Sequence, residues 1–254
     1  MSNNVFGRYS EYYNLLYMDK DYASEAQYIH DLIQKYSSGA STVLNLGCGT
    51  GNHDFELAAL GYELAGVDMS QEMLSAANTR LTSSDAAIKK PTFLKGDIRT
   101  FRLERTFDVV ISLFHVMSYQ TTNDDLQAAI ETAKKHLSPG GLFIFDCWYG
   151  PAVLTNPPVV RVKRLEDEQI RVLRIAEPVM HPNENIVDVN YQILITDKFT
   201  GGVEQLQETH RMRYLFMPEL ELFINGAGLG MVDALEWMSD KAPGFSSWGA
   251  CFVG

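Results

Sequence analysis

The chain has 254 residues, enough to bury a full core as one domain or as a domain carrying an insertion. Hydrophobic residues make up 46% and charged residues 21%, and no apolar run approaches the ~18–20 residues of a membrane span. The net charge of −11 argues against nucleic acid, whose phosphates need clustered Lys and Arg, and points to a small-molecule partner.

The N-terminus lacks the charged-then-apolar layout of a signal peptide, and Cys48, Cys147 and Cys251 show no metal-ligand spacing. Reduced thiols, a cytoplasmic location and no bound metal are therefore expected. A tyrosine-rich stretch over residues 9–17 precedes an amphipathic helix at residues 22–36, where Ala26, Ile29, Leu32 and Ile33 recur at helical spacing. Ser37-Ser38-Gly39 breaks that helix. Val43-Leu44-Asn45-Leu46 then reads as an apolar strand running into Gly47-Cys48-Gly49-Thr50-Gly51. A helix over residues 53–60 ends at Gly61, and a second strand at residues 62–67 is followed by Asp68. Ser70 caps another helix, with Met73, Leu74, Ala76 and Ala77 as its apolar stripe. Strands are predicted at residues 91–94, 107–114 and 141–146, with a helix over 124–136. This alternation predicts an α/β fold built on a doubly wound, mostly parallel sheet.

Beyond Gly150-Pro151 the pattern changes. Residues 159–216 alternate with period two and are punctuated by turn signals such as His181-Pro182-Asn183-Glu184-Asn185 and Thr200-Gly201-Gly202. An antiparallel insertion is predicted, followed by a helix at 218–226 and closing strands at 231–237 and 248–253. The expected organisation is thus a cofactor-binding core at 1–150 with a tyrosine-rich cap, an insertion at 151–216, and a C-terminal return at 217–254. The insertion is the expected substrate or oligomer layer.

The strand–glycine turn–helix–strand–acid order suits a nucleoside-containing cofactor. Glycines let backbone approach the ligand, and an acid beyond the next strand suits two ribose hydroxyls. A dinucleotide fingerprint would space its third glycine one residue later. Here Gly51 is early and Asp54 follows closely, which would repel a pyrophosphate but tolerate a cationic sulfonium. An NAD-dependent dehydrogenase is the class-level rival on these residues.

Four stretches, in order, carry a resemblance: residues 44–51, residues 66–70, Gly96-Asp97-Ile98, and Leu137-Ser138-Pro139-Gly140-Gly141. Together they resemble the class I S-adenosylmethionine-dependent methyltransferases over roughly residues 40–150. The resemblance implies a seven-stranded Rossmann-like sheet closed by an antiparallel hairpin. It implies S-adenosylmethionine as cofactor, leaving as S-adenosylhomocysteine. Gly47, Gly49 and the backbone of Cys48 would run along the methionyl part, with Leu113 nearby. Asp68 would hold the ribose, Met69 the adenine face, Asp97 the adenine amino group and the Ile98 backbone its ring. The family carries an acid where this chain has Asn45, so the role of that position is open.

Outside the shared motifs, Tyr9-Ser10-Glu11-Tyr12-Tyr13, Lys20-Asp21-Tyr22 and the pair Trp148-Tyr149 look like the amino-sugar N-methyltransferases of deoxysugar pathways. Tyr13 and Tyr22 are the positions that this closer resemblance carries over. It implies the amino group of a nucleotide-linked sugar as acceptor. A hydroxyl or carboxylate acceptor, or a non-catalytic cofactor-binding protein, is the alternative. The chain is compatible with a homodimer.

An amine acceptor begins protonated, so a base is expected near it. His115 is the natural one, since imidazole is neutral and basic near pH 7. A packed structural histidine is the equal alternative. Tyr119 and Tyr13 join it as catalytic candidates, although the family's own histidine falls closer to Tyr119. Trp148, Tyr149 and Arg213 are the substrate candidates; the two aromatics read equally as the hinge of the inserted sheet. Arg211 and Arg213 sit two apart and share a strand face, as a phosphate clamp or, the favoured reading, as a solvated sheet face.

Overall fold

The computed structural model describes residues 15–16, 20–83 and 89–254. The described residues form one continuous eleven-stranded sheet rather than the seven strands expected, because the insertion strands join its core. Helix α1 (Tyr22–Tyr36) precedes β1 (Thr42–Leu46), and α2 (Asn52–Ala59) leads to β2 (Glu63–Asp68). Next come α3 (Gln71–Ser83), β3 (Thr92–Lys95), β4 (Phe107–Ser112), a 3-10 turn (Val116–Tyr119), α4 (Asn123–His136) and β5 (Leu137–Tyr149). After a short α5 (Gly150–Thr155), strands β6 (Arg161–Glu166), β7 (Ile170–His181), β8 (Ile186–Asp197) and β9 (Val203–Leu215) follow in a row. Helix α6 (Met217–Gly226), β10 (Asp233–Glu236) and β11 (Gly249–Val253) complete the chain.

Strands β3-β2-β1-β4-β5 run parallel, and β11 joins β5 antiparallel with β10 outside it. The order reverses between β1 and β4, so their carboxyl ends open a crevice. Side-chain alternation divides the core in two. Val43, Val109, Ile111, Cys251 and Val253 face α1, while Leu44, Leu46, Val110, Ala250 and Phe252 face α4 and α6. Both faces are covered, which is why these strands read as continuous apolar runs. Local signals set the helix ends: Asp21 accepts from Ser24 N at 2.9 Å and Thr122 from Asp125 N at 3.1 Å.

Strands β6 to β9 form an antiparallel meander, and β9 returns beside β5 in parallel through Trp148↔Tyr214 and Tyr149↔Leu215. Leu15 and Leu16 are buried against its Ile170, Val172, Ile193 and Ile195. Helix α5 had no sequence signal beyond Pro151, and the insertion strands run longer than the alternation suggested. Among the described residues, no helix is long and apolar enough to cross a membrane. The three cysteines are buried and unpaired.

Candidate active site

The glycine turn after β1 forms the floor of a cleft of about 330 Å³ at the switch point. Gly47, Gly49 and Gly51 all take positive φ, at 87°, 55° and 74°. Their surroundings differ. A Cβ on Gly47 would lie 2.6 Å from both methyls of Val116, and one on Gly51 would lie 2.5 Å from the Phe93 ring. Around Gly49 nothing comes within 4 Å. That glycine therefore presents bare backbone to the cleft, the kind of cradle a ligand fills. Asp68 closes the far side. Its Oδ2 accepts from Gly49 N and its Oδ1 from Ser70 N, both at 2.8 Å, so the carboxylate is aimed before any ligand arrives.

Asn45 lines the same floor, and its Nδ2 donates to Asp54 Oδ2 at 2.8 Å. Asp54 is fully buried, and burial raises its carboxyl to about 7, with the Asp68 charge adding a little. Neither Asn45 Oδ1 nor Asp54 Oδ1 has a partner among the described residues. The acid absent from position 45 is thus present nine positions on, behind the amide. His53 sits on the rim with its Nε2 2.7 Å from Glu25 Oε2, and Lys20 pairs with the same glutamate. Tyr22 meets the His53 ring edge-on at 5.0 Å.

One wall comes from the β4 exit. Phe114 and His115 occupy consecutive left-handed conformations (φ 67° and 63°), rare for non-glycine residues and typical of functional turns. Asp146 on β5, 1% exposed, supports this turn by accepting the His115 backbone N–H at 3.1 Å. Its Oδ2 also lies 2.6 Å from His115 Nδ1, out of line for a hydrogen bond but placed to receive a protonated ring. Trp148 flanks the imidazole edge-on at 6.5 Å.

The facing wall comes from the insertion. Arg174, Val189, Tyr191, Glu208, His210 and Met212 project from β7, β8 and β9 into the cleft. The Arg174 guanidinium sits 4.7 Å from the Tyr191 ring centre. Tyr119 bridges the walls, its hydroxyl 2.7 Å from His210 Nδ1, while His210 Nε2 lies 3.1 Å from Glu208 Oε2.

Of the residues singled out from sequence, Tyr22, Asn45, Gly47, Cys48, Gly49, Asp68, Leu113, His115, Tyr119 and Trp148 converge on this cleft. Others lie elsewhere. Met69 is 67% exposed, outside the lining. The Asp97 carboxylate is engaged by the Arg99 guanidinium at 2.9 and 2.5 Å, which holds it below the usual carboxylate range, and Ile98 is packed in the core. The substrate roles expected for Tyr149 and Arg213 need correction. Tyr149 alternates away from Trp148 and is buried against Phe252. Arg213 is 6% exposed and bound to Asn123 and Glu219, so it ties β9 to α6 and α4. Tyr13 lies outside the described residues.

Sequence reasoning missed Asp146 as the support of His115, and it missed the whole insertion wall. The even positions Glu208, His210 and Met212 share a strand face, a readable pattern. Which face meets the cleft depends on cross-strand pairing. Among the described residues, no three His, Cys, Asp or Glu side chains converge to hold a metal ion.

Residues 43–141 match the family model described as a methyltransferase domain. A dTDP-3-amino-3,4,6-trideoxy-alpha-D-glucopyranose N,N-dimethyltransferase from Streptomyces venezuelae is 30% identical over 223 residues, 87% of this chain and 90% of that protein. The crystal structure of Streptomyces venezuelae DesVI superimposes with a TM-score of 0.81 at 30% identity, covering 97% of each chain. A methyltransferase structure from Clostridium acetobutylicum gives 0.82 at 23% identity, covering 98% of this chain and 97% of the other, a likeness of fold.

Proposed function

We propose, for a chain that belongs to the S-adenosylmethionine-dependent methyltransferases, that the acceptor is the amino group of a nucleotide-linked sugar. The carrying observation is that one cleft joins a glycine and aspartate floor to a wall bearing a carboxylate-backed histidine. The name of the Streptomyces venezuelae relative, a dTDP-amino-sugar N,N-dimethyltransferase, supports the choice of acceptor.

S-adenosylmethionine, when bound, supplies an electrophilic methyl on a sulfonium. The chain's residues do the rest. Asp68 accepts the ribose hydroxyls, its orientation already set by Gly49 N and Ser70 N, so little ordering cost remains. The open backbone at Gly49 would admit the methionyl chain, while at Gly47 the space a Cβ would need is already taken by Val116. Asn45, Tyr22 and Leu113 enclose the same region. Holding a nucleophile in line and excluding water supplies about 7–11 kcal/mol of barrier reduction. An ammonium has no lone pair to attack with, so a proton must leave first. His115 Nε2 takes it, and the resulting imidazolium rests on the buried Asp146.

The test is incubation with S-adenosylmethionine and dTDP-3-amino-3,4,6-trideoxyglucose, reading product mass. His115→Ala is expected to keep cofactor affinity while kcat at pH 7 falls about 10²–10⁴-fold. Full rate in that variant across pH would remove the base assignment. Absence of any methylated sugar with wild-type protein would remove the acceptor.

A further inference from the structure

The cleft contains a second histidine–carboxylate pair, on the wall opposite His115. Tyr119 reaches across from the 3-10 turn, and its hydroxyl lies 2.7 Å from His210 Nδ1. His210 Nε2 lies 3.1 Å from Glu208 Oε2. A carboxylate only accepts, so Nε2 carries the proton, Nδ1 is the acceptor, and the Tyr119 hydroxyl must donate. All three side chains line the cleft that holds Gly49, Asp68 and His115. The chain is thus polarised in one direction, from the cleft outward through tyrosine and imidazole to carboxylate.

The Tyr191 and His210 rings meet edge-to-face at 5.0 Å, and Glu208 lies on the same strand face as His210. Arg174, the nearby cation, is stacked on the far partner Tyr191 at 4.7 Å. Glu208 and His210 sit two apart on β9, while Tyr191 and Val189 face them across the ladder, so the sheet fixes their spacing.

An amine delivered as its ammonium releases one proton for each methyl it receives. Two methyls therefore require two deprotonations within one cleft, of nitrogens differing in bulk and orientation. His115 with Asp146 provides one acceptor on the β4–β5 side. We propose that Tyr119, positioned by His210 and Glu208, is the second, taking the proton from the monomethylated ammonium before the second transfer. The inference rests on the amino-sugar reading above, takes the second methyl from the N,N-dimethyltransferase activity of the Streptomyces venezuelae relative, and adds a separate proton acceptor for that second transfer. In the step, an N–H bond of the ammonium breaks and its electron pair stays on nitrogen. The proton passes to the Tyr119 oxygen as the original phenolic proton moves to His210 Nδ1. The imidazolium formed lies against Glu208, and solvent removes the proton between turnovers.

The experiment compares wild type with His210→Gln and Glu208→Gln, using S-adenosylmethionine and dTDP-3-amino-3,4,6-trideoxyglucose. Mass spectrometry follows mono- and dimethyl products separately from about pH 6.5 to about pH 9.5, approaching the titration range of an alkylammonium. Expected for His210→Gln at pH 7 is a first methylation within about threefold of wild type and a second slowed about 10²-fold, so the monomethyl sugar accumulates. Raising the pH should restore dimethylation, a rescue that a merely structural role would not give. Glu208→Gln should show the same pattern more weakly, and affinity for S-adenosylhomocysteine should stay unchanged in both. An unchanged product ratio, an equal loss in both steps, or slowing that high pH does not repair would overturn the proposal. If wild type leaves the sugar unmethylated, the acceptor assignment fails first and the proposal with it. A wild type that stops at one methyl overturns the proposal alone.

Discussion

Asp54→Asn isolates the charge buried under the cofactor floor. Asp54 has no exposed surface, its only side-chain hydrogen bond among the described residues comes from Asn45, and its carboxyl is raised to about 7. The unfolded chain holds an aspartate near 3.9. A raised acid pKa means that the folded state binds the proton more tightly, so stability is fully present at low pH. It is lost progressively as pH climbs from the unfolded value through about 7. About three units at 1.36 kcal/mol each give roughly 4 kcal/mol as the upper bound of that loss. Asparagine cannot ionise, so the variant escapes it. The amide brings its own unpaired hydrogens, a constant offset, and the informative quantity is the change with pH. Between pH 5 and pH 8 about two of those units are lost, roughly 2.6 kcal/mol, so in ligand-free thermal melts Tm of Asp54→Asn minus Tm of wild type should grow by about 5–10 °C, at about 2–4 °C per kcal/mol for a chain of this size. A difference that stays within about 1 °C over that range would refute the argument that burial of Asp54 outweighs its hydrogen bonding.

The two glycines beside the cofactor floor should separate stability from binding. Gly47→Ala, with its Cβ against Val116, is expected to lower stability by about 1–3 kcal/mol in denaturant unfolding. Gly49→Ala should cost only about 1 kcal/mol of backbone strain but fill the cradle and weaken S-adenosylhomocysteine by calorimetry. Asp68→Ala removes an acceptor of two charge-assisted bonds, each about 1.5–3 kcal/mol, so Kd for the same ligand should rise about 10²–10⁴-fold. Arg213→Met should lower stability by roughly 3 kcal/mol, since Glu219 loses its partner, while KM for the sugar nucleotide stays put. A raised KM with unchanged Tm would return Arg213 to a substrate role.

The residues of the floor were legible because they lie at strand ends, where chain order alone brings Gly47, Asp68 and His115 to one edge of a parallel sheet. Continuous apolar runs alternating with helical stripes announced the parallel sheet, whereas the reversal of strand order that opens the crevice came from the structure. The opposing wall was not legible for a physical reason. Glu208, His210, Tyr191 and Arg174 meet only through the register of a four-stranded meander, which no local signal encodes. Arg213 was misplaced because strand parity was judged without knowing which face is covered. Asp97 looked available because an acid at a turn says nothing of an arginine two residues on. Asn45 read as a lost charge, since its partner Asp54 sits on the following helix.

The parallel seam between β5 and β9 has a mechanical consequence. Trp148 and Tyr149 are stitched to Tyr214 and Leu215, and Asp146 lies two residues before Trp148. A tilt of the meander would be levered through that seam onto the carboxylate supporting His115. The facing wall of the cleft and the His115 turn therefore share one hinge, and mutations that loosen the first are expected to shift the second even when they touch neither histidine.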